Sequence, residues 1–186
     1  MNERQWLSSF VTAVEDALRA RGEVAILGEC TSAMRGLVAR DDWLPPSMAI
    51  ADPSRYQQHL LYADPGDRFS LVSFVWGPGQ STPIHDHTVW GVIGMLRGSE
   101  YSQGFTVREG IPLPSGPEIR LEPGDVETVS PTIGDIHKVR NAYADRTSIS
   151  IHLYGGNIGK ISRHVFDATT GAAKPFISGY SSTLQP

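Results

Sequence analysis

Gly79-Gln-Ser-Thr-Pro-Ile-His85-Asp-His87-Thr-Val-Trp-Gly91-Val-Ile-Gly-Met-Leu-Arg-Gly98 is the stretch on which the reading of this chain turns. Side chains alternate across a strand, so His85 and His87 project to one side and Asp86 to the other. Two imidazoles on one face are placed to share a metal ion, although such a pair also occurs at surface turns. Val89 to Leu96 then forms an aliphatic, β-branched run that Arg97-Gly98 closes.

The same texture extends in both directions. Upstream, Arg68 to Trp76 is rich in β-branched and aromatic residues and stops at Gly77-Pro78-Gly79. Downstream, Tyr101–Arg108, Ile119–Leu121, Asp125–Val129, His137–Asn141 and Thr147–Tyr154 follow at short intervals, with an exposed turn from Glu122 to Asp125. Strands at this spacing predict an all-β sandwich or barrel over residues 51–186. Residues 1–50 have a different period. Trp6, Leu7, Phe10, Val11, Val14, Ala17 and Leu18 recur at helical spacing, with Arg21-Gly22 as the expected end. A second helix is expected from Ile26 to Arg40, stopped by Pro45-Pro46. The expectation is one domain: a barrel with a helical N-terminal extension packed on it.

Composition bounds the function. The 186 residues are 40% hydrophobic and 19% charged, enough for a packed core. A net charge of −4 excludes the basic patch of a dedicated nucleic-acid binder. The charged start, MNERQWLSSF, lacks a secretory apolar run, and no stretch has the length of a membrane span. A cytoplasmic protein is expected, with no membrane partner. The sole cysteine, Cys30, excludes an internal disulfide and any all-cysteine metal site. Oligomeric state is not legible.

Gly79, His85, His87, Gly91 and Gly98 resemble the first signature of the cupin family, with Gly91 where that signature has glutamate. Gly124, Pro131, Gly134, His137 and Asn141 resemble the second, with one extra residue on each side of Pro131. The resemblance implies a double-stranded β-helix, or jelly-roll barrel, and makes His137 the third ligand. Three neutral imidazoles leave the full charge of a divalent ion, which favours an anionic ligand from solution such as a thiolate. Three protein ligands also leave positions open for substrate. Ligand type alone does not select among iron, zinc, copper and nickel.

Ser150-Ile-His152-Leu-Tyr154 alternates, so three polar side chains share one strand face. If Ile151 and Leu153 pack outward against the helices, a Ser–His–Tyr line faces the barrel interior; otherwise it is a solvent-facing stripe. A serine hydrolase is disfavoured, because no GxSxG turn exists. HxH without the cupin glutamate, a later lone histidine and Ser-x-His-x-Tyr together resemble the thiol dioxygenases of the cysteine dioxygenase family over roughly residues 55–165. These are non-haem iron enzymes that oxidise a small thiol with O2 to its sulfinic acid. The resemblance implies Fe(II) on His85, His87 and His137, with Ser150, His152 and Tyr154 around it.

Two departures narrow the resemblance. The animal enzymes carry a cysteine after HxH that cross-links to the tyrosine; here that segment is Thr88-Val-Trp-Gly91-Val92, so no Cys–Tyr cross-link is expected. Gln58 stands where those enzymes have a carboxylate-binding arginine, and an amide lacks the charged bidentate grip of a guanidinium. Arg163, on pattern alone a surface residue, is similar to the arginine of bacterial 3-mercaptopropionate dioxygenases, which share the glutamine and the glycine. The expected activity is therefore dioxygenation of a small carboxylated thiol, 3-mercaptopropionate favoured. The alternatives are an L-cysteine dioxygenase and a non-catalytic metal-binding cupin module. His59 and His164 are expected at the surface or behind the ligands. Trp76 and Trp90 are expected to pack in or beside the barrel, Trp90 within reach of the cavity.

Overall fold

The computed structural model describes residues 3–184, in which two helices precede thirteen short strands. Helices α1 (Glu3–Ala17) and α2 (Glu23–Val38) lead through a 3-10 turn at Pro46–Met48 into the strands. These are β1 (Gln57–Ala63), β2 (Ser70–Trp76), β3 (Ile84–His85), β4 (Gly91–Arg97), β5 (Glu100–Arg108), β6 (Ile111–Pro114) and β7 (Ile119–Leu121). They continue as β8 (Val126–Val129), β9 (Ile136–Asn141), β10 (Ser148–Tyr154), β11 (Arg163–Phe166), β12 (Ala173–Phe176) and β13 (Ser182–Thr183).

One sheet has the order β13-β1-β2-β10-β4-β8; the other is β12-β11-β3-β9-β5-β6, with β7 also paired to β5. From β2 to β11 the chain keeps crossing between the sheets, which is the winding of a double-stranded β-helix. The expected all-β class with a helical start is what the structure has.

The helices explain why the strands of the first sheet are buried on both faces. Cys30, Met34 and Val38 of α2 share one apolar cluster with Leu71, Val75, Val92, Ile149, Ile151 and Leu153. The opposite side chains of β2, Val72, Phe74 and Trp76, belong to a second cluster inside the barrel with Tyr154. Cys30 is fully buried, and that burial pushes its thiol up to about 11, so little reactive thiolate exists at neutral pH. No described helix is long and apolar enough to cross a membrane.

The boundaries differ in detail from the sequence reading. α1 ends at Ala17, where the Arg19 and Ala20 N–H groups turn back three residues to Asp16 and Ala17. Gly22, with φ of 94°, forms the entry to α2 rather than the exit of α1, and α2 stops at Val38. Strands β1, β6, β11, β12 and β13 were not individually legible.

Helix α2 rests on the bare backbone of β4. A Cβ at Gly94 would lie 2.6 Å from Met34 Cγ and 2.8 Å from Val38 Cγ1. Gly94→Val is therefore expected to cost about 2–3 kcal/mol, the range for overpacking a filled core. Urea denaturation measures this, and a loss below about 0.5 kcal/mol would mean that α2 does not bear on β4 there.

Candidate metal centre

Strand pairing brings the histidines together. β3 lies between β11 and β9, with His85 directly opposite His137. β3 ends at His85, so His87 lies just past the strand rather than on it. The Asp135 carboxylate holds that end: it accepts the His87 N–H at 3.1 Å and the Thr88 N–H at 2.9 Å. Thr88 takes a positive φ of 61° there. The three rings form a near-equilateral triangle, with centroids 4.9, 4.8 and 4.8 Å apart.

The ring hydrogen bonds decide which nitrogens face one another. His85 Nδ1 lies 3.1 Å from the Pro83 carbonyl, and His87 Nδ1 lies 3.1 and 3.0 Å from the Asp135 carbonyl and carboxylate. A carbonyl only accepts, so each Nδ1 carries the proton and each Nε2 keeps a lone pair. His137 Nδ1 is 3.3 Å from Ser102 Oγ, whose own hydroxyl donates to Glu127 Oε1, giving His137 the same tautomer. Burial holds His85 down to about 3 and His137 well below the usual imidazole range, so both are neutral at physiological pH.

One nitrogen from each ring can be chosen so that all three lie within 4.8 Å of one another, and His87 Nε2 is buried with no partner. Three buried imidazoles whose ring nitrogens converge fit a divalent transition metal, and a buried ring nitrogen left bare is otherwise costly. The place of the missing glutamate is filled: a Cβ on Gly91 would lie 3.1 Å from both Tyr154 Cδ1 and Val129 Cγ2. Tyr154 pairs with Gly91 across β10 and β4, and its ring stacks on His87 at 5.5 Å.

The polar face of β10 points inward, as Ile149, Ile151 and Leu153 pack against the helices. Ser150 Oγ is 2.9 Å from His152 Nε2, and His152 Nδ1 is 2.8 Å from the Tyr154 hydroxyl. Burial pushes Tyr154 above the usual phenol range and His152 well below the imidazole range, so both are neutral. The line continues past the serine. Ser150 Oγ also lies 2.8 Å from Glu100 Oε2 and receives the Trp76 indole N–H at 3.0 Å.

A cavity of about 220 Å³ opens beside His85, lined by Tyr56, Gln58, Phe74, Arg163 and Phe176 among others. Arg163 is 3% exposed, contrary to the surface position its pattern suggests. Its Nη2 donates to Ser178 Oγ at 2.7 Å, its guanidinium lies 4.6 Å from the Phe176 ring centroid, and its buried Nε has no partner. Gln58 Oε1 is likewise buried and unpartnered. Two polar groups wanting partners in one cavity are a built-in demand for a polar ligand.

The structure thus brings His85, His87, His137, Ser150, His152 and Tyr154 into one centre, with Arg163 and Gln58 in the adjoining cavity. The sequence reading missed Ser102, Asp135, Glu100 and Glu127. Glu100 and Ser102 share one face of β5, but the spacing alone does not say which face is buried, and Asp135 lies just before β9. His59 is buried rather than superficial, bonded to Ser182 Oγ at 2.7 Å. His164 pairs with Asp86 on the side away from the metal centre. Trp90 packs against Gly155, where a Cβ would sit 2.2 Å from Nε1, and does not line the cavity.

The chain is similar to several known proteins. Cysteine dioxygenase type 1 from Homo sapiens is 28% identical over 123 residues, covering 64% of this chain and 60% of that protein. The Danio rerio protein of the same name is 28% identical over 134 residues, covering 70% of this chain and 64% of its own length. The chain therefore spans less than two thirds of these relatives. A cupin superfamily protein from Desulfitobacterium hafniense superposes with a TM-score of 0.48 at 17% identity, covering 63% of this chain and 94% of that one. The sequence profile of the family described as cysteine dioxygenase type I matches residues 38–167. That span exceeds half of the chain and contains the three histidines, the β10 line and Arg163, and so the chain belongs to the cysteine dioxygenase type I family.

Proposed function

We propose that the chain is an iron(II)-dependent thiol dioxygenase that converts a small carboxylated thiol, 3-mercaptopropionate in preference to L-cysteine, to its sulfinic acid. The overall balance is RSH + O2 → RSO2H, both oxygen atoms ending on sulfur. The observation that carries the reading is the cavity in which a buried, under-partnered Arg163 shares walls with the ligand candidate His85.

Iron on His85, His87 and His137 would supply the site where thiolate and dioxygen meet and exchange electrons. The protein's own residues set the geometry. Arg163, pinned by Ser178 and Phe176, offers its free N–H to the substrate carboxylate and so orients the sulfur toward the histidines. Gln58 adds a neutral contact at the same end through its amide N–H, since its Oε1 only accepts. Tyr154, held by His152 and Ser150, fixes a hydroxyl beside His87.

Family membership supports thiol chemistry, and the cavity favours the thiol without an amino group. The walls comprise Tyr56, Gln58, Phe74, Thr82, Pro83, His85, Arg163, Val165 and Phe176. None is acidic, so the ammonium of L-cysteine would enter without a counter-charge.

The test is oxygen uptake by iron-reconstituted protein with each thiol separately, with sulfinate quantified. Uptake matched one-to-one by sulfinate, with kcat/KM at least tenfold higher for 3-mercaptopropionate, is expected. A preference for L-cysteine would make it a cysteine dioxygenase. No uptake on protein that holds iron would leave a metal-binding module.

A further inference from the structure

Glu100 lies on β5, 0% exposed, with no ion pair among the described residues. The neighbouring elements offer little to an anion. β7 and β9 place Leu121 and Asn141 opposite it, and β2 contributes the uncharged Trp76. β8 brings a second, half-buried acid, Glu127, whose charge opposes its own. His152 and Tyr154 of β10 lie beyond Ser150, and His137 of β9 is engaged with Ser102 instead. A carboxyl in this position contributes nothing obvious to stability, and the metal centre as described does not use it.

The Trp76 indole N–H also faces this carboxyl, but it is the hydrogen bond with Ser150 that constrains the whole line behind it. Ser150 Oγ has one hydrogen and two lone pairs, and three neighbours: Trp76, Glu100 and His152. Trp76 can only donate, so it occupies one lone pair. Of Glu100 and His152, one must take the serine hydrogen and the other must give one. An ionised Glu100 only accepts. Ser150 then donates to it, His152 donates from Nε2 to Ser150, and the bare His152 Nδ1 accepts the Tyr154 O–H. A protonated Glu100 gains a hydrogen bond only with its proton on Oε2, because Oε1 has no partner. The acid then donates to Ser150, Ser150 donates to His152 Nε2, and His152 Nδ1–H donates to the Tyr154 oxygen. The tyrosine hydrogen is released.

We infer that Glu100 is a positioning residue for Tyr154: the proton on its carboxyl sets the donor–acceptor direction of the Ser150–His152–Tyr154 line, and so whether Tyr154 offers a hydrogen or a lone pair beside His87. His152 and Tyr154 stay neutral throughout: on ionisation the Glu100 proton passes to Ser150, the Ser150 proton to His152 Nε2 and the Nδ1 proton to the Tyr154 oxygen, while the proton released is the one the Tyr154 hydroxyl carried, so the negative charge is left on Glu100. Burial, and secondarily the charge of Glu127, pushes Glu100 up to about 8, which places the reversal within a usable pH range. The functional meaning of the reversal rests on the proposed thiol dioxygenation; the reversal itself does not.

The test is nitrogen-15 NMR of the His152 ring in full-length protein loaded with diamagnetic Zn(II), with the signals assigned by their loss in His152→Asn. Wild type is expected to pass from the Nδ1–H form at pH 6 to the Nε2–H form at pH 10, with a midpoint near 8. Glu100→Gln should show one form at every pH, since its amide does not titrate. Ser150→Ala, which keeps Glu100 but cuts the link, should also lose the step. Glu127→Gln should keep the step and move it to lower pH. With iron and thiol, the alkaline limb of kcat/KM should move up by at least one pH unit, or vanish, in Glu100→Gln. A wild-type tautomer ratio constant from pH 6 to 10, or a step that survives in Glu100→Gln, overturns the inference. A step that behaves as described in a protein with no thiol-dependent oxygen uptake upholds the inference and defeats the proposed function. Uptake without any step does the reverse.

Discussion

His137→Ala is expected to lower bound iron from about one per chain to below about a tenth of that, with no measurable thiol oxidation, because a site of two ligands loses most of its binding free energy. The effect should be local. His137 sits at 3% exposure between β3 and β5, and alanine fits its backbone without strain. Far-ultraviolet circular dichroism should therefore match wild type while elemental analysis does not. Asp135→Asn tests the support rather than the ligand. It weakens the hydrogen bonds that orient His87 and should reduce iron affinity by about 10–100-fold. Unchanged iron content in His137→Ala would remove that residue from the metal site.

Arg163→Ala comes second in size. Its guanidinium is buried, held by one serine and one phenylalanine, and has an N–H without a partner. Truncating one side of a buried charged hydrogen bond costs roughly 2–5 kcal/mol, so kcat/KM should fall by about 100-fold or more. The loss should appear mainly in KM, because the proposed carboxylate contact would be made before and during the reaction alike. Arg163→Lys should recover only part, since an ammonium keeps the charge and loses the planar fork. Steady-state oxygen uptake reads both constants. An unchanged KM would exclude Arg163 from the substrate site.

The parts of the fold that were legible are those with one dominant period. β2, β4 and β10 carry enough β-branched and aliphatic residues to be read as strands, and β10 alternates so strictly that its polar face could be assigned before its surroundings were known. β1, Gln57–Ala63, defeats that reading because it is buried irregularly along both faces. β3 is two residues long, too short for any period, and β12 is an exposed edge strand that contains Pro175. The candidate ligands were legible because histidine spacing is local and its chemistry narrow. Glu100 was not, since a glutamate after a glycine turn reads as a surface acid, and only the packing of two sheets shows that it points inward. Arg163 likewise needed the resemblance. Its burial follows from β11 pairing with β3 and β12, contacts that no local pattern announces.

The two-residue β3 also makes the sheet a ruler. It joins β11 on one side, with Val165 opposite His85, to β9 on the other, with His85 opposite His137. Neighbouring strands stand about 4.8 Å apart, and Arg163 lies two residues, roughly 7 Å, along β11 from Val165. The interval between the arginine and the imidazoles is therefore graduated by backbone hydrogen bonds instead of being left to flexible side chains. A substrate anchored at both ends is gauged by its length, and lengthening its carbon chain would mean respacing strands rather than rotating a side chain.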